Sequence, residues 1–244
     1  MASDTTMNDY LGKEFLATVR NGDFAHAGEE EAIELVLRDC PRNSDQTILD
    51  AGSGRGGTAE YIRSHGWGRV IGVDIDSESI EYSRRKYPNV DFRSCDIATV
   101  GNYFPEQFGA ICLFNVLYAI GDRAYALSSL RRAGQIESLI FIFDYITYSP
   151  RLFSSAGALS QCPPTLEQLH CELQQARWTV QKVDDLDGMF IEWYTKFVER
   201  CKAESLIKRY GNERVAQVQD KYLKLLSALK GGLLGGRLIV GKAA

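Results

Sequence analysis

The sequence lacks an excess of positive charge. Its 28 Lys and Arg residues stand against 32 Asp and Glu, a formal net charge of -4, with the two signs interspersed. Gripping a nucleic-acid backbone takes clustered basic residues that displace counterions, so DNA or RNA is a poor expectation as partner. Cys-x-x-Cys pairs are also missing. Cys40, Cys95, Cys112, Cys162, Cys171 and Cys201 are scattered singly, and Cys95, Cys112 and Cys201 sit in or beside apolar runs. That pattern predicts reduced, mostly buried thiols rather than a disulfide framework or a zinc site, and no metal is expected. No stretch reaches the roughly 18 uninterrupted apolar residues of a membrane span, and no apolar secretion signal opens the chain. A cytoplasmic location is therefore expected. Internal repeats and low-complexity segments are absent as well.

What remains is an ordinary globular composition, 45% hydrophobic and 25% charged, and enough of it in 244 residues for one sizeable core. Strand-like and helix-like segments alternate from about residue 46. Strands are expected at Thr47–Asp50, Arg69–Asp74, Val90–Phe92, Ala110–Phe114 and Leu139–Phe143. Helices are expected at Thr58–Ser64, from Ser77, and at Asp122–Ala133. This order implies a parallel sheet with right-handed crossovers, a doubly wound, Rossmann-like α/β fold. Residues 150–164 read as loop, and 165–176 as a helix with Thr165 and Gln168 forming a capping box. A sixth strand follows at Trp178–Val183. The segment from Gly188 to Gly236 reads as helix broken only at Gly211, and Arg237–Val240 is expected as a seventh, antiparallel strand after a Gly235-Gly236 turn. One domain over 1–244 is the expectation, with N-terminal helices in 1–45, a core in 46–187, a helical lid in 188–235 and the last strand in 236–244.

The run Asp50-Ala51-Gly52-Ser53-Gly54-Arg55-Gly56-Gly57 follows a strand and opens a helix. Gly52, Gly54 and Gly57 satisfy the spacing of dinucleotide-binding enzymes, so an NAD-dependent oxidoreductase competes on spacing alone. Asp50 decides between the two. A carboxylate beside a pyrophosphate is repelled, whereas the α-ammonium and sulfonium of S-adenosylmethionine attract it. Gly52, Ser53 and Gly54 then let the backbone approach the ligand, and the helix-start N–H groups can hold its carboxylate.

At this point the chain resembles the class I methyltransferases, whose first motif is an acidic residue, any residue, then Gly-x-Gly-x-Gly. The resemblance implies S-adenosylmethionine as cofactor and S-adenosylhomocysteine as product. It implies that Asp74, ending the second strand, accepts both ribose hydroxyls, and that Ile75 lies against the adenine. It further places Asp96 and the Ile97 backbone at the adenine edge and Asn115 as the next contact.

For the acceptor, Asp144-Tyr145 are expected to follow the fifth strand and face the crevice, where a carboxylate could pair with a cationic amine. This element looks like that of the phosphoethanolamine methyltransferases, and Phe24-Ala25-His26-Ala27-Gly28 is similar to that group's N-terminal segment. His26 could cover the cofactor or act as a base; a helix cap is the competing reading. Tyr118 could carry proton chemistry where many relatives have a histidine at the position of Ala119. Phe190, Trp193, Tyr194 and Phe197 lie at i, i+3, i+4, i+7, a spacing that suits an aromatic enclosure and equally suits plain packing. The Trp-Gly-Tyr of phosphobase enzymes is replaced by Gly235-Gly236-Arg237, and no Asn-Pro-Pro-Tyr follows the fourth strand. The leading expectation is methyl transfer to the nitrogen of a small polar amine. O- or C-methylation of a small hydroxylated or quinone-like metabolite and a catalytically silent cofactor-binding protein stay open, as does the oligomeric state.

Overall fold

A computed structural model describes residues 10–156, 159 and 161–244. Two helices, α1 (Tyr10–Arg20) and α2 (Glu29–Leu37), precede the sheet. The parallel half is then wound from β1 (Thr47–Ala51), α3 (Gly57–Ser64), β2 (Arg69–Asp74), α4 (Ser77–Lys86), β3 (Asp91–Ser94), α5 (Val100–Tyr103), β4 (Phe108–Phe114), α6 (Arg123–Ala133) and β5 (Gly134–Thr147). The second half runs α7 (Pro150–Ala156), α8 (Leu166–Gln175), β6 (Trp178–Asp185), α9 (Asp187–Arg200), α10 (Glu204–Tyr210), α11 (Asn212–Lys230) and β7 (Leu234–Ala243). The seven strands form one sheet in the order β3-β2-β1-β4-β5-β7-β6, with β7 antiparallel between β5 and β6. This is the mixed sheet and late helical insertion expected from the sequence.

Strand alternation divides the core between the two faces of the sheet. Ala110, Cys112 and Phe114 of β4 and Phe141, Phe143 and Tyr145 of β5 pack with α1, α2 and the inserted helices α9 and α11. Ile111 and Leu113 of β4 and Ile140 and Ile142 of β5 pack with α6 and α8. Local chemistry sets several helix starts. Asp76 and Asp122 cap α4 and α6 by accepting backbone N–H bonds, and Thr165 with Gln168 forms the expected capping box on α8.

Several boundaries differ from the sequence reading, four of them with consequences for the site or the lid. Residues 150–156, expected as loop, form α7. The insertion breaks a second time at Cys201–Ala203, where neither glycine nor proline marks the turn; the bend lets Cys201 and Leu206 both bury. β5 runs four residues past Phe143, so Asp144 and Tyr145 lie within the strand, paired with Arg237 and Gly236 of β7. The hydrophobic run ends at Phe143, but the extra strand is recruited by pairing to β7, which local pattern does not report. Gly235 and Gly236 are likewise inside β7, and the turn sits at 231–233. Their role is clearance: a Cβ on Gly236 would land in the Phe190 ring.

Gly236→Ala should therefore cost about 1–3 kcal/mol by overpacking, lowering Tm by roughly 2–10 °C for a domain of this size. Gly188→Ala, in helix α9 with open space around its Cβ position, should be neutral or stabilising by up to about 1 kcal/mol. Thermal melts of the two variants side by side check the assignment; equal effects would remove it.

Candidate functional site

The C-terminal ends of β1, β2 and β4 converge on the glycine loop. Gly52 has φ 86°, and a Cβ there would stand 2.5 Å from Val116 Cγ2. Only glycine combines that backbone with that approach. Gly52 and Ser53 N–H groups donate to the Val73 carbonyl, and the Gly54 N–H donates to Asp74 Oδ2 at 2.8 Å. The loop is thus tied to the next strand rather than to its own.

Asp50 is 2% exposed on β1. Burial, with the Asp74 charge nearby, pushes its carboxyl up to about 7. Its Oδ2 has no hydrogen-bond partner, nor has the buried Ser53 hydroxyl. Asp74 is more fully engaged: Oδ1 accepts from Lys13 Nζ at 2.9 Å and from the Asp76 N–H at 2.9 Å. Beside it Ile75 is 74% exposed, an apolar side chain held in solvent at the crevice edge. Asp96 caps the turn at Ile97–Thr99, accepting from the Ala98 N–H, and the Ile97 side chain is buried. Asn115 follows β4 with φ 54°, a left-handed backbone that non-glycine residues seldom adopt. Its Oδ1 accepts from the Ala27 N–H, while Nδ2 leans toward Asp144 without closing a hydrogen bond.

The pleat separates the two residues expected to act together at the acceptor. Tyr145 points to the lid face, where its hydroxyl meets that of Tyr194 and its ring packs edge-on against Phe190 and Tyr118. Asp144, 2% exposed, turns under the loop after β4 and accepts from the backbone N–H groups of Tyr145 at 2.7 Å and Tyr118 at 3.2 Å. Burial pushes the Asp144 carboxyl up to about 6. Because β4 ends at Phe114, Asp144 still stands at the β4–β5 edge, with Asn115 and Tyr118 around it.

His26 is neither a helix cap nor exposed. Gly28 occupies the cap position of α2. The His26 Nδ1–H donates to the Ala27 carbonyl and Nε2 accepts from the Thr58 hydroxyl, both at 3.0 Å. Burial lowers its pKa to about 4, so the ring is neutral and both nitrogens are occupied. Phe190, Trp193, Tyr194, Phe197 and Tyr222 are all buried, the outcome that packing demands.

Three site residues escaped the sequence reading, all from the N-terminal segment. Lys13 covers Asp74. Asp23 collects Arg55 Nε at 3.0 Å, the Tyr87 hydroxyl at 2.7 Å and Lys86 Nζ at 2.5 Å, and its carbonyl accepts from the Gly57 N–H. Arg20 ends α1 against Phe197 of the lid. The sequence reading places only a helix in this segment, and nothing local signals that its basic residues reach the strand ends.

Comparison with known proteins agrees with this geometry. Residues 48–134 match the model of a family described as a methyltransferase domain. A protein of Invertebrate iridescent virus 6 named as a methyltransferase is 37% identical over 79 residues, 32% of this chain and 28% of that protein. The chain spans less than a third of the length of the curated relatives it matches. Among solved structures, phosphoethanolamine N-methyltransferase 2 of Haemonchus contortus, bound to phosphomonomethylethanolamine and S-adenosylhomocysteine, superposes with a TM-score of 0.86 at 17% identity. That match covers 98% of this chain and 59% of the other. The [4+2]-cyclase SpnF superposes at 0.80 with 16% identity, covering 96% and 93% of the two chains. Such likenesses establish architecture and leave the reaction to the site. By its sheet order the chain has the class I methyltransferase fold, and its residues 48–134, the acidic glycine loop among them, are similar to a methyltransferase domain.

Proposed function

We propose that this chain transfers the methyl group of S-adenosylmethionine to the nitrogen of a small polar amine. The observation that carries the acceptor assignment is Asp144, a buried carboxylate at the β4–β5 edge poised to exchange a proton near neutrality.

The residues present fit the cofactor. Three buried polar atoms around the loop have no partner among the described residues: Asp50 Oδ2, Ser53 Oγ and Asn115 Nδ2. Buried polar groups left unmatched cost roughly 1–3 kcal/mol each, and a ligand bearing an ammonium and a carboxylate answers the first two. In this reading Asp50 holds the α-ammonium, while Ser53 and the N–H groups opening α3 hold the carboxylate. Asp74 takes the ribose hydroxyls, with Lys13 sharing one oxygen. Ile75 backs the adenine, and Asp96 and the Ile97 backbone bound its edge. When bound, the cofactor supplies a methyl carbon already activated by its sulfonium.

The protein's remaining work is to place a nitrogen lone pair in line and to remove its proton. Burial pushes the Tyr145 hydroxyl well above its ordinary value, so it serves as a neutral phenol. Tyr118 and Tyr145 then form aromatic walls that suit an ammonium. Asp144 is the group left to receive a proton, and its hold on the Tyr118 N–H also sets the loop that carries Asn115. His26, with both nitrogens occupied, positions the segment over α3. The net charge of -4 supports a small cationic acceptor over a polyanion.

Two outcomes test this reading. A cationic ligand favours ionised Asp50 and so lowers its pKa in the complex. Protonated Asp50 must then lose its proton on binding, so affinity should strengthen as pH rises toward about 7 and level off above it. The slope should approach about tenfold per pH unit on the acid side, and Asp50→Asn should flatten it. Calorimetry with S-adenosylmethionine between pH 5.5 and 7.5 measures this; NAD binding without adenosylmethionine binding would replace the whole reading. For the acceptor, Asp144→Asn should lower kcat by about 10²–10⁴ while cofactor affinity stays within roughly twofold. The wild-type rate should rise through about pH 6 as Asp144 ionises. A mutant with equal losses in rate and cofactor affinity would make Asp144 purely a loop clamp.

A further inference from the structure

Helix α1 lays a lysine across the bare face of the glycine loop. Lys13 is 8% exposed; its Nζ donates to Asp74 Oδ1 at 2.9 Å and reaches Asp76 Oδ2 at 3.4 Å. Its stem crosses the second glycine of the loop. A Cβ built on Gly54, where φ is 50°, would meet Lys13 Cδ at 3.7 Å and Cε at 3.9 Å. Chain neighbours aside, no other described residue comes within 4 Å of that point. The lysine thus fills the side on which the glycine leaves room for close approach.

The carboxylate that Lys13 holds is the one expected to take both ribose hydroxyls, and its acceptor capacity is limited. A carboxylate oxygen accepts about two hydrogen bonds. Asp74 Oδ1 already accepts two, from Lys13 Nζ and from the Asp76 N–H, both at 2.9 Å. Oδ2 accepts one among the described residues, from the Gly54 N–H at 2.8 Å. A diol that spans the carboxylate, one hydroxyl to each oxygen, finds room on Oδ2 and none on Oδ1. Two of the donors are backbone groups fixed by the loop and by the turn after β2, so the ammonium is the one that yields. It has a place to go. Asp76 Oδ2, already within 3.4 Å, otherwise accepts from the Ser79 hydroxyl. The Asp76 side chain is also the more exposed of the two, 17% against 8% for Asp74.

We propose that Lys13 is a built-in competitor for the ribose-binding carboxylate: its ammonium holds Asp74 until the cofactor's diol displaces it toward Asp76, and retakes Asp74 when product leaves. The assignment rests on the cofactor reading above and deepens it. Before the cofactor arrives, Lys13 neutralises Asp74 and spares the crevice a second uncompensated buried carboxylate. When the cofactor arrives, part of the binding free energy is spent on moving the ammonium, so affinity stays below what the same pocket would otherwise reach. S-adenosylhomocysteine carries the same ribose and meets the same competitor, which eases product release.

Calorimetry on wild type, Lys13→Met and Lys13→Gln, with S-adenosylmethionine and with S-adenosylhomocysteine, tests the exchange. Methionine keeps the stem and drops the ammonium. Removing one charge-assisted hydrogen bond from the competing state should tighten both ligands by about 10–100-fold in Lys13→Met. The gain should be smaller in Lys13→Gln, which keeps an N–H donor. Unchanged or weaker binding in Lys13→Met overturns the proposal, because that is the result of a lysine that holds the cofactor. A gain confined to the cationic adenosylmethionine also overturns it, since relief of charge repulsion would then be the whole effect. Adenosine and its two monodeoxy forms supply a readout that a merely structural lysine would not move. In wild type, the hydroxyl that replaces the ammonium gains one bond at the expense of another; in Lys13→Met it gains outright. Deleting that hydroxyl should therefore cost about tenfold more in Lys13→Met than in wild type, and equal costs in the two proteins overturn the proposal. Should Lys13→Met not melt cooperatively, Lys13→Gln against wild type decides by the same signs. If none of the three proteins binds either ligand, the cofactor reading falls and this inference with it. Binding in wild type without a gain in the variants removes this inference alone.

Discussion

Two carboxylates, Asp50 and Asp74, are buried on adjacent parallel strands, and the arrangement of the whole crevice answers to that constraint. Like charges at the ends of β1 and β2 repel, and water is too scarce there to screen them. Asp74 is relieved by the Gly54 N–H, by the Asp76 N–H and by Lys13. Asp50 is left with an unpartnered oxygen and a raised pKa. The imbalance makes Asp50 the point at which a positive ligand gains most. It also explains why the glycine loop leans on β2: bonds from Gly52 and Ser53 to Val73 and from Gly54 to Asp74 hold the loop open over β1.

The N-terminal segment supplies the counter-charges that the sheet lacks. Helix α1 carries Lys13 to the β2 end and Arg20 to the lid, so one short helix spans both halves of the crevice. Asp23, just beyond it, ties Arg55 of the loop to Lys86 and Tyr87 at the end of α4. Removing either partner of such buried pairs is costly, because the charge left behind has neither water nor a counter-ion. The segment is therefore part of the site's electrostatics as well as its cover.

The inserted helices act chiefly through packing. Phe143, Phe190, Trp193, Tyr194, Phe197 and Tyr222 form one continuous buried aromatic layer. Their helical spacing served equally for a ligand cage or a core, and burial favours the core for most of them. Tyr194 is the exception with chemical consequence, because its hydroxyl reaches Tyr145. Arg237, standing where phosphobase enzymes carry a different sequence, is neutralised by Asp187 at 2.6 Å and Asp185 at 3.0 Å, so it adds no open charge to the crevice.

Local pattern alone determined the strand count, the alternation of β and α, the helix caps and the acidic glycine loop. Each is dictated by residues within a few positions of one another: apolar runs for buried strands, Asp or Thr for caps, glycines for a turn that no side chain can enter. That Asp74, Ile75, Asp96 and Asn115 stand along one edge of the sheet was legible for a related reason, since strand ends in a parallel sheet all arrive there; the roles expected of them came from the resemblance. Tertiary structure decided what distance along the chain conceals. Pairing with β7 drew Asp144 and Tyr145 into β5, and the pleat then sent them to opposite faces. Packing against α9 required Gly236 to be bare. Lys13 and Arg20 look like surface charges until α1 folds across the strand ends. There, burial removes the water that would have solvated them: Lys13 is paired with Asp74, and Arg20 is left with two N–H groups without a partner.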